Sequence, residues 1–194
     1  MARSRQQGEV ATASRILDIA ERLVQSRGFN GFSYADVASE LEVSKASLHY
    51  HYPSKAELGA ALIGRYAARF AKALETIDLG SRAAPEKLEA YAAIYGEVLR
   101  DGRMCLCGML AAEYDTLPEP MRGAILGFFD ANEAWLVRVL EQGQEDGTLR
   151  LHGPAGEAAQ AIIGGLEGAM LVARPYGDIA RFQAAATRVL TIVR

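Results

Sequence analysis

The 194-residue chain is 50% hydrophobic and 23% charged, an ordinary globular composition that excludes wholesale disorder and collagen-like structure. No stretch approaches the roughly 18 uninterrupted apolar residues of a membrane span, and the basic start Met1-Ala2-Arg3-Ser4-Arg5 leads into no apolar signal segment, so a cytoplasmic protein without a membrane partner is expected. The net charge of -3 conceals a split, with 10 Lys/Arg against 7 Asp/Glu through Lys72 and 11 against 17 beyond it, which makes the N-terminal part the one suited to phosphates.

In chain order the pattern is helical throughout. Ile16, Ile19, Ala20, Leu23 and Val24 carry the 3-4 spacing of an amphipathic helix over Thr12–Arg27, with Gly28 as its stop. Ser33-Tyr34-Ala35-Asp36 reads as a capping box opening a short second helix that buries Val37, Ala38 and Leu41. After a tight turn at Glu42-Val43, Ser44 caps a third short helix through Tyr50 or His51, anchored by Leu48 and blocked by Pro53. Ser54-Lys55-Ala56-Glu57 opens a long helix to Ile77. Further helices are predicted over Pro85–Arg100, Arg103–Glu113, Met121–Gln144, Pro154–Ala173 and Asp178–Val193. The fold class is therefore all-α, with about nine helices and no repeat. The expected division is a three-helix domain over 1–53 and a larger helical domain over 54–194.

The block Ser33–Lys55 is the informative one. Two short helices joined by a turn of about two residues fit helix-turn-helix geometry, whose second helix enters the major groove of DNA. His49-Tyr50-His51-Tyr52 then places four aromatic, hydrogen-bonding side chains in sequence, and they cannot all face inward from one helical turn. Tyr52, beside Pro53, is expected in the core; His49 and Tyr50 are expected to face DNA. Lys55, at the start of the long helix, adds its charge to N–H groups that favour a phosphate. Arg3 and Arg5 read either as a phosphate-seeking arm or as a solvated tail.

The segment from Val43 through Ser44-Lys45-Ala46-Ser47-Leu48-His49-Tyr50-His51-Tyr52-Pro53-Ser54-Lys55 to Leu58 resembles the recognition-helix region of the TetR/AcrR family of bacterial transcriptional regulators. Gly28-Phe29-x-Gly31-Phe32-Ser33-x-x-Asp36-Val37-Ala38 is similar to that family's junction between first and second helices. The resemblance covers about residues 11–60. It implies a ligand-responsive DNA-binding regulator, with repression as the first reading and activation, or a helical scaffold without DNA affinity, as alternatives. It further implies that Ser33 and Tyr34 meet the DNA backbone. Ser44, Lys45, Ala46 and Ser47 open the groove-facing helix, His49, Tyr50 and His51 contact phosphate or bases, and Lys55 binds phosphate. Glu42 stands where the family often has glycine, so either it adopts left-handed geometry or the turn differs.

A single short reading helix gives too little contact for useful specificity, so a homodimer on a near-palindromic double-stranded operator is expected. Ile162, Gly165, Leu166, Ala169, Phe182 and Val189, on the last two helices, are the predicted dimer interface. Bulky residues of the middle helices suit an apolar cavity for a small-molecule effector: Tyr66, Phe70, Tyr91, Tyr95, Met104, Cys105, Met109, Tyr114, Phe128 and Trp135, with Arg103 and Glu113 as polar selectors or solvated groups. Cys105 and Cys107 read first as buried core thiols, because free cysteine is among the most buried residue types, with a thiol pair that senses oxidants or electrophiles as the alternative; pointing about 200° apart on one helix, they could join in a disulfide only if the helix broke. No enzyme, cofactor or metal site is expected. The three histidines have no carboxylate or cysteine at metal spacing, and neither a phosphate loop nor a Gly-x-Ser-x-Gly elbow is present.

Overall fold

The computed structural model describes residues 2–80 and 83–193; the side chains of residues 1–8 and of Ile192 lie outside the described ones, and with them the arm read at Arg3 and Arg5. Among the described residues there are nine α-helices and no strand. They are α1 (Ala2–Arg27), α2 (Tyr34–Leu41), α3 (Lys45–His51), α4 (Lys55–Leu79), α5 (Ala84–Arg100), α6 (Leu106–Ala111), α7 (Glu119–Glu145), α8 (Ala155–Ala173) and α9 (Ile179–Leu190). Single 3-10 turns follow at Tyr114–Thr116, Arg174–Tyr176 and Thr191–Val193. Among the described residues no helix is long and apolar enough to cross a membrane.

Two helices depart most from the sequence pattern. Helix α1 begins ten residues before Thr12, because Ala, Arg, Gln and Glu are good helix formers that need no apolar period. Helix α6 is confined to Leu106–Ala111, and the chain after it tightens into the 3-10 turn at Tyr114–Thr116. The caps fall where the sequence places them. The Asp36 carboxylate accepts hydrogen bonds from the Ser33 N–H at 2.7 Å and from its hydroxyl at 2.6 Å, Ser44 Oγ accepts from Ser47 N–H at 3.2 Å, and Ser54 Oγ accepts from Glu57 N–H at 3.1 Å. The hydroxyl and amide of Ser33 hold the exposed Asp36 carboxyl below the usual carboxylate range.

The chain forms two compact units. The first joins Met1–Tyr66 to Leu106–Ile125, and the second joins Ala67–Cys105 to Leu126–Arg194. The expected boundary at Pro53 thus falls inside the first unit, which also takes in the start of α4 and the α6 segment. In that unit α1 packs against α2 and α6, and α2 against α3. Ile16, Val24, Val37, Leu48, Leu58 and Leu110 are fully enclosed there. Gly59 lets Met121 approach: a Cβ at Gly59 would stand 2.5 Å from Met121 Sδ. In the second unit α5, α8 and α9 pack on one another around Leu88, Ile162, Leu166 and Phe182.

Candidate nucleic-acid interface

Leu48 fixes which side of α3 is buried. It is wholly enclosed, and the residues on the opposite side, Lys45, Ala46, His49 and Tyr50, are exposed, Tyr50 at 70%. Spacing of i, i+1, i+4 and i+5 sets those four side chains on one helical face. Ser44 is exposed and Ser47 half-buried, and the Ser47 amide is held by the cap. The His49 ring lies 4.7 Å from Tyr34 with Nδ1 3.0 Å from Pro53 O, so its orientation is fixed while one edge remains in solvent. His51 is half-buried, with its ring edge-on to Tyr50 at 5.2 Å. The turn ahead of the helix has Glu42 at φ 56°, ψ 39°, the left-handed geometry that one of the two sequence readings proposed.

Two residues expected at phosphates are turned inward. Tyr34 is buried, with its hydroxyl donating to Tyr52 O at 2.7 Å; burial foremost, with Glu57 and Tyr52 adding to it, pushes the phenol up to about 12. Lys55 directs Nζ to the carbonyls of Phe29 and Phe32, at 2.6 and 2.5 Å. The same ammonium lies 4.6 and 4.4 Å from the centroids of those two rings. Burial lowers its pKa, and the nearby Glu113 and Asp36 carboxylates work in the opposite direction. Lys55 therefore serves the loop between α1 and α2 rather than a phosphate in this arrangement.

Glu113, read in the sequence as an effector selector, holds the other side of the same loop. Its carboxylate accepts from Phe29 N–H at 2.6 Å and from Asn30 N–H at 3.3 Å. Asn30 Nδ2 donates to Thr116 Oγ1 at 2.8 Å, and Thr116 Oγ1 donates to Glu113 O at 2.7 Å. Gly28, at φ +83°, is where the chain enters the loop, and a Cβ there would stand 2.6 Å from Glu113 Oε1. Backbone amides face a carboxylate and backbone carbonyls face an ammonium, so the loop that sets the start of α2 is held through both its donors and its acceptors.

The remaining effector candidates divide between the units. Tyr66, Met109 and Glu113 belong to the first; Phe70, Tyr95, Met104, Cys105, Phe128 and Trp135 belong to the second. Phe70 meets Phe128 edge-on at 5.1 Å and Tyr95 at 6.1 Å, while Trp135 stacks on Tyr91 at 5.6 Å. Trp135 Nε1 donates to Asp78 Oδ2 at 2.9 Å, and Lys87 donates to Asp78 Oδ1 at 3.0 Å. Cys105 and Cys107 are both buried. Sequence reasoning missed Asn132 and Glu167, which reach this aromatic cluster from α7 and α8. Glu167 was hidden in a helix so rich in glycine and alanine that only its apolar face carried a signal.

Of the predicted dimer residues, Ile162, Leu166 and Phe182 are buried inside the subunit's own second unit. Gly165 faces Val189 of the same chain, where an added Cβ would stand 2.7 Å from Val189 Cγ2. Ala169 is half-buried. Within the subunit the more apolar side of α8 closes the core, and the exposed side is a different stripe, Ala161, Gly164, Gly168, Leu171 and Val172.

The model for bacterial regulatory proteins of the tetR family matches residues 16–62, and that for the tetracyclin repressor-like C-terminal domain matches residues 84–189. The chain belongs to the TetR family. It is 30% identical over 170 residues to the HTH-type transcriptional repressor NemR of Escherichia coli (strain K12), covering 84% of each chain. It is 27% identical to the HTH-type transcriptional repressor DhaR of Mycobacterium sp. (strain GP1), over 75% of this chain and 73% of that one. A TetR-family regulator from Agrobacterium tumefaciens superposes with TM-score 0.91 at 32% identity, covering 95% of this chain and 98% of its own. This TetR-family member is accordingly a ligand-responsive DNA-binding transcriptional regulator with an N-terminal helix-turn-helix and a helical C-terminal domain.

Proposed function

We propose that this regulator is a repressor that binds a near-palindromic operator as a homodimer and leaves it when a small molecule occupies the second unit. The carrying observation is the exposed α3 face of Lys45, Ala46, His49 and Tyr50, set opposite the enclosed Leu48 and led in by the left-handed turn at Glu42. Lys45 and Tyr50, with Ser44 and Ser47 at the helix start, read base edges and phosphates, and His49 and His51 hold the rim; Ser33 is exposed at the start of α2 and meets the backbone. Two such helices read successive half-sites about 34–36 Å apart. The exposed stripe Ala161, Gly164, Gly168, Leu171 and Val172 supports a two-fold helix pairing in which small residues allow close approach and Leu171 and Val172, 62% and 57% exposed, supply apolar area. Selection of bound fragments from random duplex DNA, followed by gel shift across a salt series, tests the reading. A two-fold-symmetric site whose affinity falls steeply with salt is expected, and absence of binding at low salt refutes it.

A further inference from the structure

The second unit buries a short chain of polar groups whose donors and acceptors do not balance. The Tyr91 hydroxyl donates to Asn132 Oδ1 at 3.3 Å and lies 3.0 Å from the Tyr95 hydroxyl, so Tyr95 is the donor between the two. Asn132 gives its amide to Phe128 O at 2.8 Å. Glu167, on α8, accepts a hydrogen bond from Cys105 and acts electrostatically on both tyrosines. Its other oxygen, Oε1, is sealed from solvent and has no hydrogen-bond partner among the described residues. The protons of Tyr95, Tyr91 and Cys105 are thus committed, and once Glu167 is ionised its Oε1 is an enclosed acceptor in need of a donor. Beside these hydroxyls Phe70 packs edge to face with Phe128, Tyr91 and Tyr95 at 5.1–6.1 Å, so the polar chain is set among aromatic rings.

We propose that the Glu167–Tyr95 end of this cluster is the polar anchor of the effector site and that the effector is a small protonated amine. The inference rests on the ligand-responsive reading above and names its ligand chemistry. An ammonium supplies the missing donors and pairs with a carboxylate that is otherwise alone; an alcohol supplies one donor without charge, and a carboxylate repels Glu167. Burial raises the Glu167 carboxyl to about 7, the Cys105 hydrogen bond acting the other way. The titratable groups facing it are Cys105 and, from α5, Tyr91 and Tyr95. Arg181 and Arg188 of α9 are exposed, and Glu133 of α7 accepts from Gln160. Amine binding therefore strengthens as pH rises through 7, where an alkylammonium remains protonated.

The test titrates the full-length protein calorimetrically with methyl-, butyl- and benzylammonium chloride at pH 6 and pH 8, with benzyl alcohol and benzoate as neutral and anionic matches. At least one amine is expected to bind about tenfold more tightly at pH 8, following the ionised fraction of a group titrating near 7. Glu167→Gln, which keeps the side-chain shape, is expected to lose that pH dependence and about tenfold in amine affinity while holding its operator affinity without any amine. Binding of no amine, equal or better binding of the alcohol or benzoate, a flat pH profile, or an unaffected Glu167→Gln overturns the proposal. Should Glu167→Gln fail to fold, the wild-type pH profile and the neutral match decide alone. Operator binding without amine, measured separately, tells failure of this inference from failure of the regulator reading.

Discussion

Replacing Lys55 by methionine separates two roles for one ammonium. A lysine that binds phosphate, when removed, weakens binding to every DNA sequence and lowers the salt slope by about one, leaving the fold alone. The observed Nζ stands 2.6 and 2.5 Å from two loop carbonyls and above two phenyl rings. A hydrogen bond from a charged donor contributes about 1.5–3 kcal/mol. Lys55 is half-buried, so water recovers part of the loss, and about 2 kcal/mol is the expected cost of Lys55→Met, which keeps the apolar stem. For a urea slope of about 2 kcal/mol/M, the unfolding midpoint falls by about 1 M with the slope unchanged. Fluorescence anisotropy on the selected operator should show weaker binding from a loosened α1–α2 loop but the wild-type dependence of log affinity on log salt. An unchanged urea midpoint together with a salt slope reduced by about one would refute the loop assignment and restore the phosphate role.

Three further outcomes follow from particular residues. Glu42→Gly removes the only non-glycine left-handed residue among the described ones and should raise stability by about 1 kcal/mol in urea unfolding; lower stability would mean the Glu42 side chain contributes more than its backbone costs. Glu167 has its native carboxyl raised to about 7 against an ordinary 4.5, so the native state holds the proton more tightly, and stability is lost as pH rises from 4.5 to 7 and is flat above. That loss is about 3 kcal/mol, and Glu167→Gln should remove it from the pH profile of chemical denaturation; an unchanged profile contradicts the assignment. Ile162→Asp puts a charge in the subunit's own core and should lose cooperative unfolding by circular dichroism, whereas Leu171→Asp should fold and sediment as a monomer; folded monomers from Ile162→Asp would return the interface to the face first expected.

Periodicity and caps made the helices legible, because an apolar stripe and a Ser or Asp at a helix start act locally. Ser33, Ser44 and Ser54 do what their positions suggest, and Leu48 alone orients the reading helix. The direction in which a long polar side chain points was not legible. Lys55 and Glu113 are 58 residues apart, and no local pattern says that each will end on the same six-residue loop. Which face of α8 stays exposed in the subunit was not legible for a related reason. A helix apolar around much of its circumference carries little angular information, and the choice between core and surface depended on where α5 and α9 were available to cover it.

The loop from Gly28 to Ser33 accounts for why those polar residues turned inward. It joins two helices through a glycine in left-handed geometry and lacks the regular bonds of a helix, so the amides of Phe29 and Asn30 and the carbonyls of Phe29 and Phe32 need partners from elsewhere. Glu113 and Lys55 supply them with opposite charge, and Phe29 and Phe32, edge to face at 5.9 Å, flank the ammonium. Glu113 comes from the α6 segment, which follows the first 66 residues by some forty positions yet belongs to the same compact unit. A DNA-reading unit built this way has a polar contact set by the very stretch of chain that emerges from the second unit at Cys105.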